Sequence, residues 1–215
     1  MKKLLLAGNW KSNKTIEEAR EWLRQFIPNS PIVLCAPFTA LSTLKQEIQK
    51  RQLPISLGAQ NVSKFDDGPV TGEISARMIR ELADWVIIGH SSRRSNFNES
   101  DEDLAIKVDK AKAAGLQIIF CVPDANTSVP PSADVVAYEP VWAIGTGKTD
   151  TPENADEVCR KIKEKVGNAM VIYGGSVTDK NVRSFVEKPN IDGVLPGAAS
   201  LDPKTFARLI TSAFL

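Results

Sequence analysis

Eight short apolar runs recur along the chain, each separated from the next by a longer stretch. They are residues 4–8, 32–36, 55–59, 85–89, 117–122, 135–139, 170–174 and 193–196. The runs are nearly continuous in apolar character rather than alternating, as strands covered on both faces must be. The stretches between them have helical spacing. Residues 15–26 put Ile16, Ala19, Leu23 and Phe26 on one stripe, and residues 101–114 put Leu104, Val108 and Ala111 on another. Thr151-Pro152-Glu153 opens a third helix with a capping hydroxyl, a proline at the first helical position and an early acid. Residues 178–186 and 203–213 complete the series. Strand–helix alternation implies βαβ units and a parallel sheet. Eight units in 215 residues predict a closed (β/α)8 barrel, near the small end of that architecture. An open doubly wound sheet fits less well, because no G-x-G-x-x-G follows the first run.

One unit departs from the pattern. The fifth and sixth runs are joined by Pro123-Asp124-Ala125-Asn126-Thr127-Ser128-Val129-Pro130-Pro131-Ser132-Ala133, with three prolines and no helical period. A crossover of about a dozen residues is near the minimum between parallel neighbours. The barrel is therefore expected to lack one outer helix. Its bare flank is expected to be sealed by local side chains such as Val129 or by another subunit. No internal repeat, low-complexity tract or interdomain linker interrupts the chain, and residues 1–215 read as one domain.

Charge narrows the function. Lys plus Arg is 27 and Asp plus Glu is 26, a net charge of +1. No overall field recruits nucleic acid or an anionic membrane, so any anion site must be local. No apolar run approaches the ~20 residues of a membrane span. The opening Leu4-Leu5-Leu6-Ala7-Gly8 is cut short by Asn9-Trp10-Lys11, below the ~7–15 residues of an export signal's apolar core. Cys35, Cys121 and Cys159 are odd in number and far apart, which speaks against disulfides or a zinc site and predicts a reducing, cytoplasmic setting. His90 is the single histidine, so chemistry needing two is excluded.

In such barrels the active site lies at the carboxyl ends of the strands. Asn9 and Lys11 follow the first run, His90 the fourth, and Glu139 ends the sixth. Gly174-Gly175-Ser176 follows the seventh and Gly197-Ala198 the eighth. The last two are small-residue turns where main-chain N–H groups can approach an anion, as at a phosphate site. Glu139 closes an apolar run and precedes Pro140, so it is expected half-desolvated, with its pKa raised towards neutrality as suits a base. Residues 140–150 are too apolar for a plain surface loop, and their proline, tryptophan and glycines suggest a stiff lid with adjustable ends.

Together these segments resemble the triosephosphate isomerase family. The resemblance rests on Gly8-Asn9-Trp10-Lys11, Ile88-Gly89-His90-Ser91, the whole stretch from Tyr138-Glu139-Pro140 to Gly147-Lys148, Tyr173-Gly174-Gly175-Ser176-Val177 and Gly197-Ala198-Ala199-Ser200-Leu201. Gly58-Ala59-Gln60-Asn61-Val62 and Val70-Thr71-Gly72-Glu73-Ile74-Ser75 are similar to the family's third loop, which plugs into a partner subunit. The resemblance implies a TIM barrel that interconverts dihydroxyacetone phosphate and D-glyceraldehyde 3-phosphate. Glu139 would be the base, His90 a neutral electrophile, Lys11 the balancing charge and Asn9 a hydrogen-bond donor. Backbone N–H groups of Gly145, Ser176, Gly197 and Ala198 would hold the phosphate. It implies no metal or organic cofactor, and a homodimer through residues 60–73, with pairing into tetramers left open.

The chain departs from the family pattern in places. Ser92 replaces the usual Glu after the His-Ser pair, Ser12 the usual Met after the lysine, and Asn98 the usual Gly before Glu99. The last turn reads Pro196-Gly197-Ala198 instead of Val-Gly-Gly. Loss of the acid at Ser92 leaves Lys11 without a family partner, a role expected to pass to Asn9, Glu99 or water. The alternative is a non-catalytic or differently specific sugar-phosphate-binding barrel.

Overall fold

The computed structural model describes residues 2–142 and 149–215. Among the described residues the apolar runs form eight parallel strands: β1 (Leu5–Asn9), β2 (Ile32–Ala36), β3 (Ile55–Ala59), β4 (Trp85–Ile88), β5 (Gln117–Val122), β6 (Val135–Tyr138), β7 (Met170–Tyr173) and β8 (Gly193–Val194). They pair in chain order, and β8 returns to β1 through Leu5↔Gly193 and Leu6↔Val194. The expected (β/α)8 barrel is therefore closed.

The outer layer holds α1 (Ile16–Gln25), α2 (Phe38–Arg51), α3 (Ala76–Arg80), α4 (Ser91–Asn96), α5 (Asp101–Ala113), α6 (Pro152–Val166), α7 (Val182–Val186) and α8 (Pro203–Ser212). Local chemistry sets their starts. Thr15 and Glu18 form a reciprocal capping box on α1. Thr151 accepts the N–H of Asn154 ahead of Pro152. The helix expected over 178–186 is shorter, because Asn181 Oδ1 accepts the Thr178 N–H at 2.7 Å and closes a turn there first.

The barrel interior shows why particular residues reach the mouth. Ala7, Val33, Cys35, Ile87, Ile119, Cys121, Val135, Ala137, Ile172 and Leu195 pack together inside it. They alternate with residues such as Leu6, Leu34, Val86, Val136 and Val171, which pack in the surrounding core. Side chains alternate faces along a strand. Carried one step past Ala7 and Ala137, the inward phase reaches Asn9 and Glu139.

β4 solves the same problem differently. Ile87 faces inward, so strict alternation would aim residue 89 at the mouth and turn His90 away. Gly89 has φ +75°, a left-handed conformation disfavoured for side chains, and this turn of the backbone brings His90 inward.

No helix forms between β5 and β6 among residues 123–134. Asp124 Oδ1 accepts the N–H groups of Asn126 and Thr127, and Asp134 Oδ2 accepts the Ile118 N–H at 2.8 Å. Ala125 and Val129 pack against the main core. Local side chains thus cover part of the flank. Val129→Asp should lower stability by about 1–3 kcal/mol, read from the urea midpoint, with kcat unchanged, because it puts an unpaired charge into that contact.

Candidate active site

A cavity of about 660 Å³ opens at the carboxyl ends of the strands, and its lining includes Asn9, Lys11, His90, Glu139, Ser176, Gly197 and Ala198. Every predicted site residue within the described part of the chain is therefore gathered at one place. Gly145, with residues 143–148 of the expected lid, lies outside the described residues. A groove of about 630 Å³ beside Ala113 sits elsewhere, and its charges are occupied with one another, as in Arg77–Asp67 and Lys110–Asp66.

Glu139 is only 2% exposed, deeper than the half-desolvated position expected. Its Oε2 accepts the Ser91 N–H at 2.7 Å and its Oε1 lies 3.0 Å from His90 Nε2. Burial pushes its pKa up to about 7, while the Ser91 hydrogen bond and the charges of Lys11 and Arg94 pull it down. The base-like character follows from desolvation, the stronger of the two influences.

His90 caps α4, and its Nδ1 lies 3.2 Å from the Ser92 N–H and 2.8 Å from Ser92 Oγ. A backbone N–H only donates, so Nδ1 is bare and the imidazole proton sits on Nε2. Burial lowers the His90 pKa to about 4, and the charges of Lys11 and Arg93 act in the same direction.

Lys11 has φ +53°. Asn9 Oδ1 accepts its backbone N–H at 2.9 Å and stabilises this unusual turn. That bond occupies the Asn9 oxygen and leaves its amide N–H₂ as donor. Among the described residues no carboxylate lies within 4 Å of the Lys11 ammonium. The role expected of Glu99 is not taken up: Glu99 Oε1 receives Arg93 Nε at 2.6 Å and Lys107 Nζ at 2.5 Å. Lys107 also reaches Asn61 Oδ1 at 2.7 Å, so this network ties α4, α5 and the loop after β3 together behind the site. Gly197 backs directly onto Lys11: a Cβ there would stand 3.1 Å from Lys11 Cε.

The small-residue turns are held from below. Trp10 Nε1 and Trp22 Nε1 both donate to the Ser200 carbonyl at 3.1 Å, and Ser200 Oγ donates to the Gly197 carbonyl at 2.6 Å. Among the described residues, the N–H groups of Ser176, Gly197 and Ala198 find no protein acceptor. Donors left open beside a lysine are the groups an anion site requires. The Tyr138 hydroxyl donates to Asp150 Oδ2 and the Asp150 N–H donates to the Tyr173 hydroxyl, both at 3.2 Å. These bonds fix the chain next to Thr149, which lines the cavity. Sequence reasoning did not single out Asp150, the Ser91 N–H or the Glu99 network. Asp150 had a visible signal, an acid just before a helix cap, but the others depend on approach across the barrel.

His90 should stay neutral through the ordinary range of pH. A folded pKa depressed to about 4 from 6.5 gives stability that is present above about pH 6.5 and lost as the pH falls through about 4. Since His90 is the one histidine, its two imidazole ¹⁵N resonances should stay far apart, as in a neutral ring, between pH 5 and 8, with only a small shift near pH 7 as Glu139 titrates beside Nε2. Convergence of the two resonances to imidazolium values with a midpoint near 6.5 would contradict this placement.

A model of the family described as triosephosphate isomerase matches residues 4–131 and 124–213. The two matched pieces meet within the helix-free connection after β5. Curated proteins named triosephosphate isomerase are similar along nearly the whole chain. One from Mesomycoplasma hyopneumoniae (strain 232) is 39% identical, over 99% of this chain and 100% of its own length. One from a Synechocystis species is 40% identical over 98% of each, and one from a Synechococcus species 41% identical over 96% and 92%. The first alignment runs over 246 positions against a chain of 215 residues, so that relative carries residues absent here. With matches of this extent, the chain belongs to the triosephosphate isomerase family.

Proposed function

We propose that Glu139 is the base and His90 the electrophile in an isomerisation of dihydroxyacetone phosphate and D-glyceraldehyde 3-phosphate. The observation that carries this reading is the pair itself: a buried carboxylate 3.0 Å from a neutral imidazole in a cavity that also holds Lys11 and open backbone donors. A base and a neutral histidine are the pairing established for triosephosphate isomerases.

Each group has a distinct task. Glu139 removes the proton from the carbon beside the carbonyl and returns it to the neighbouring carbon. His90 Nε2–H polarises the carbonyl oxygen and holds the enediolate charge, with Lys11 and the Asn9 amide as further donors. The N–H groups of Ser176, Gly197 and Ala198 bind the phosphate, and Gly145 joins them by resemblance to the family. Substrate entering between Glu139 and His90 replaces their mutual contact with contacts to carbon and oxygen. Glu139→Gln should keep the fold and lose at least ~10²–10⁴ in kcat, the share of general base catalysis. A coupled assay alongside circular dichroism checks both parts, and near wild-type kcat would remove Glu139 from the role.

We read residues 1–215 as one domain, since the first and last strands pair. We also propose a homodimer through residues 60–73. Phe65, in that segment, is 47% exposed, and Phe97, which lines a hollow together with Gln60 and Asn61, 63%. A second cavity of about 520 Å³ beside the site is lined by Lys11, Phe38, Gln60, Ser92 and Phe97. These exposed rings and the hollow beside them support a self-association surface. A cytoplasmic setting fits three cysteines that are all free and buried. Among the described residues no helix is long and apolar enough to cross a membrane. At micromolar concentration the mass in solution should be twice the 23.5 kDa of the chain, or a higher even multiple. A strict monomer by light scattering would exclude the dimer.

A further inference from the structure

His90 Nδ1 has two neighbours, both from Ser92. The backbone N–H is at 3.2 Å, the long limit of a useful hydrogen bond, and the hydroxyl oxygen is at 2.8 Å. On the far side of the ring Nε2 faces a carboxylate oxygen at 3.0 Å. The proton count is then fixed. Nε2 carries the imidazole hydrogen, Nδ1 is bare, and the Ser92 hydroxyl must supply its own hydrogen to Nδ1. An ionised carboxylate has no hydrogen to give, so the acid usual at this position in the family could not make this bond. The serine therefore adds an interaction as well as removing a charge.

We propose that Ser92 is a positioning residue for His90: its hydroxyl donates to Nδ1 and fixes the angle of the ring, so that Nε2–H points into the cavity. The backbone N–H determines which nitrogen is bare. The hydroxyl, as the shorter contact, sets the orientation. This rests on the isomerase reading above, in which the ring must meet one substrate oxygen. It also answers how the chain functions without the family's acid. Glu99 is engaged with Arg93 and Lys107 and does not replace that acid at Lys11. The compensation lies on the histidine instead.

Ser92 is exposed, so its substitutions leave the core untouched. The full chain as Ser92→Ala should keep its unfolding midpoint. Its kcat should fall roughly three- to tenfold with KM within about twofold, the size expected when one supporting hydrogen bond is lost. In ¹⁵N spectra without substrate, the Nδ1 resonance of the single histidine should move towards that of a free lone pair. Ser92→Thr keeps the hydroxyl and should restore both kcat and the resonance. An unmoved Nδ1 resonance in Ser92→Ala overturns the inference, as does a kcat within twofold of wild type or a threonine variant as impaired as the alanine one. If the wild-type chain shows no isomerase activity, the isomerase reading falls. The resonance still reports whether the hydroxyl holds the ring.

Discussion

Glu139 directly follows an apolar strand at 2% exposure, where an ionised carboxylate without partners is disfavoured by several kcal/mol. The surrounding structure supplies partial relief rather than full solvation. One oxygen takes a backbone N–H from the start of α4, the other faces an imidazole N–H, and the charges of Lys11 and Arg94 act from further off. A closer ion pair would make the carboxylate a weaker base, and full isolation would leave it protonated. The site sits between those limits, and its other parts can be understood as ways of keeping it there. The Glu99 network holds α4 in place, the twin indoles hold the turn beside Lys11, and the bend at Gly89 delivers His90.

The fold was legible because a closed parallel barrel leaves a strong imprint. Strands covered on both faces must be apolar throughout, and each of the eight runs seen in the sequence became a strand within a residue or two of its expected ends. The helix-free connection was equally plain from Pro123, Pro130 and Pro131. The helices were less so. The stripe of Leu41, Leu44 and Ile48 in α2 carries a helical period but was not drawn out of the sequence. The five-residue α3 and six-residue α4 are too short to show any period. At α7 a side-chain turn won over helical propensity for one turn of chain.

Legibility of the site divides along a similar line. Residues that continue a strand's inward phase, Asn9 and Glu139, could be placed by counting. Those depending on a bent backbone, His90 after Gly89 and Lys11 with its positive φ, were found from their position at a strand end and from the family resemblance rather than from periodicity. Partners drawn from elsewhere in the chain left no sequence trace. The Ser91 N–H has none because every residue but proline has one, and the pairing of Glu99 with Lys107 depends on which way two helices face. The serine at position 92 was visible as a departure, yet only geometry shows that its hydroxyl meets the imidazole.

The bare flank has a consequence for how this chain finds its fold. The twelve residues 123–134 form the shortest crossover between neighbouring strands in the barrel; residues 89–116 and 139–169 are more than twice as long. The entropic cost of closing a flexible loop grows with the logarithm of its length, so bringing β5 to β6 costs about 0.6–0.9 kcal/mol less than either of those closures. Two prolines in succession at 130–131 narrow the unfolded segment further. An unfolded chain therefore brings β5 and β6 together more readily than other parallel neighbours. The helix-free stretch thereby becomes a natural starting point for the sheet.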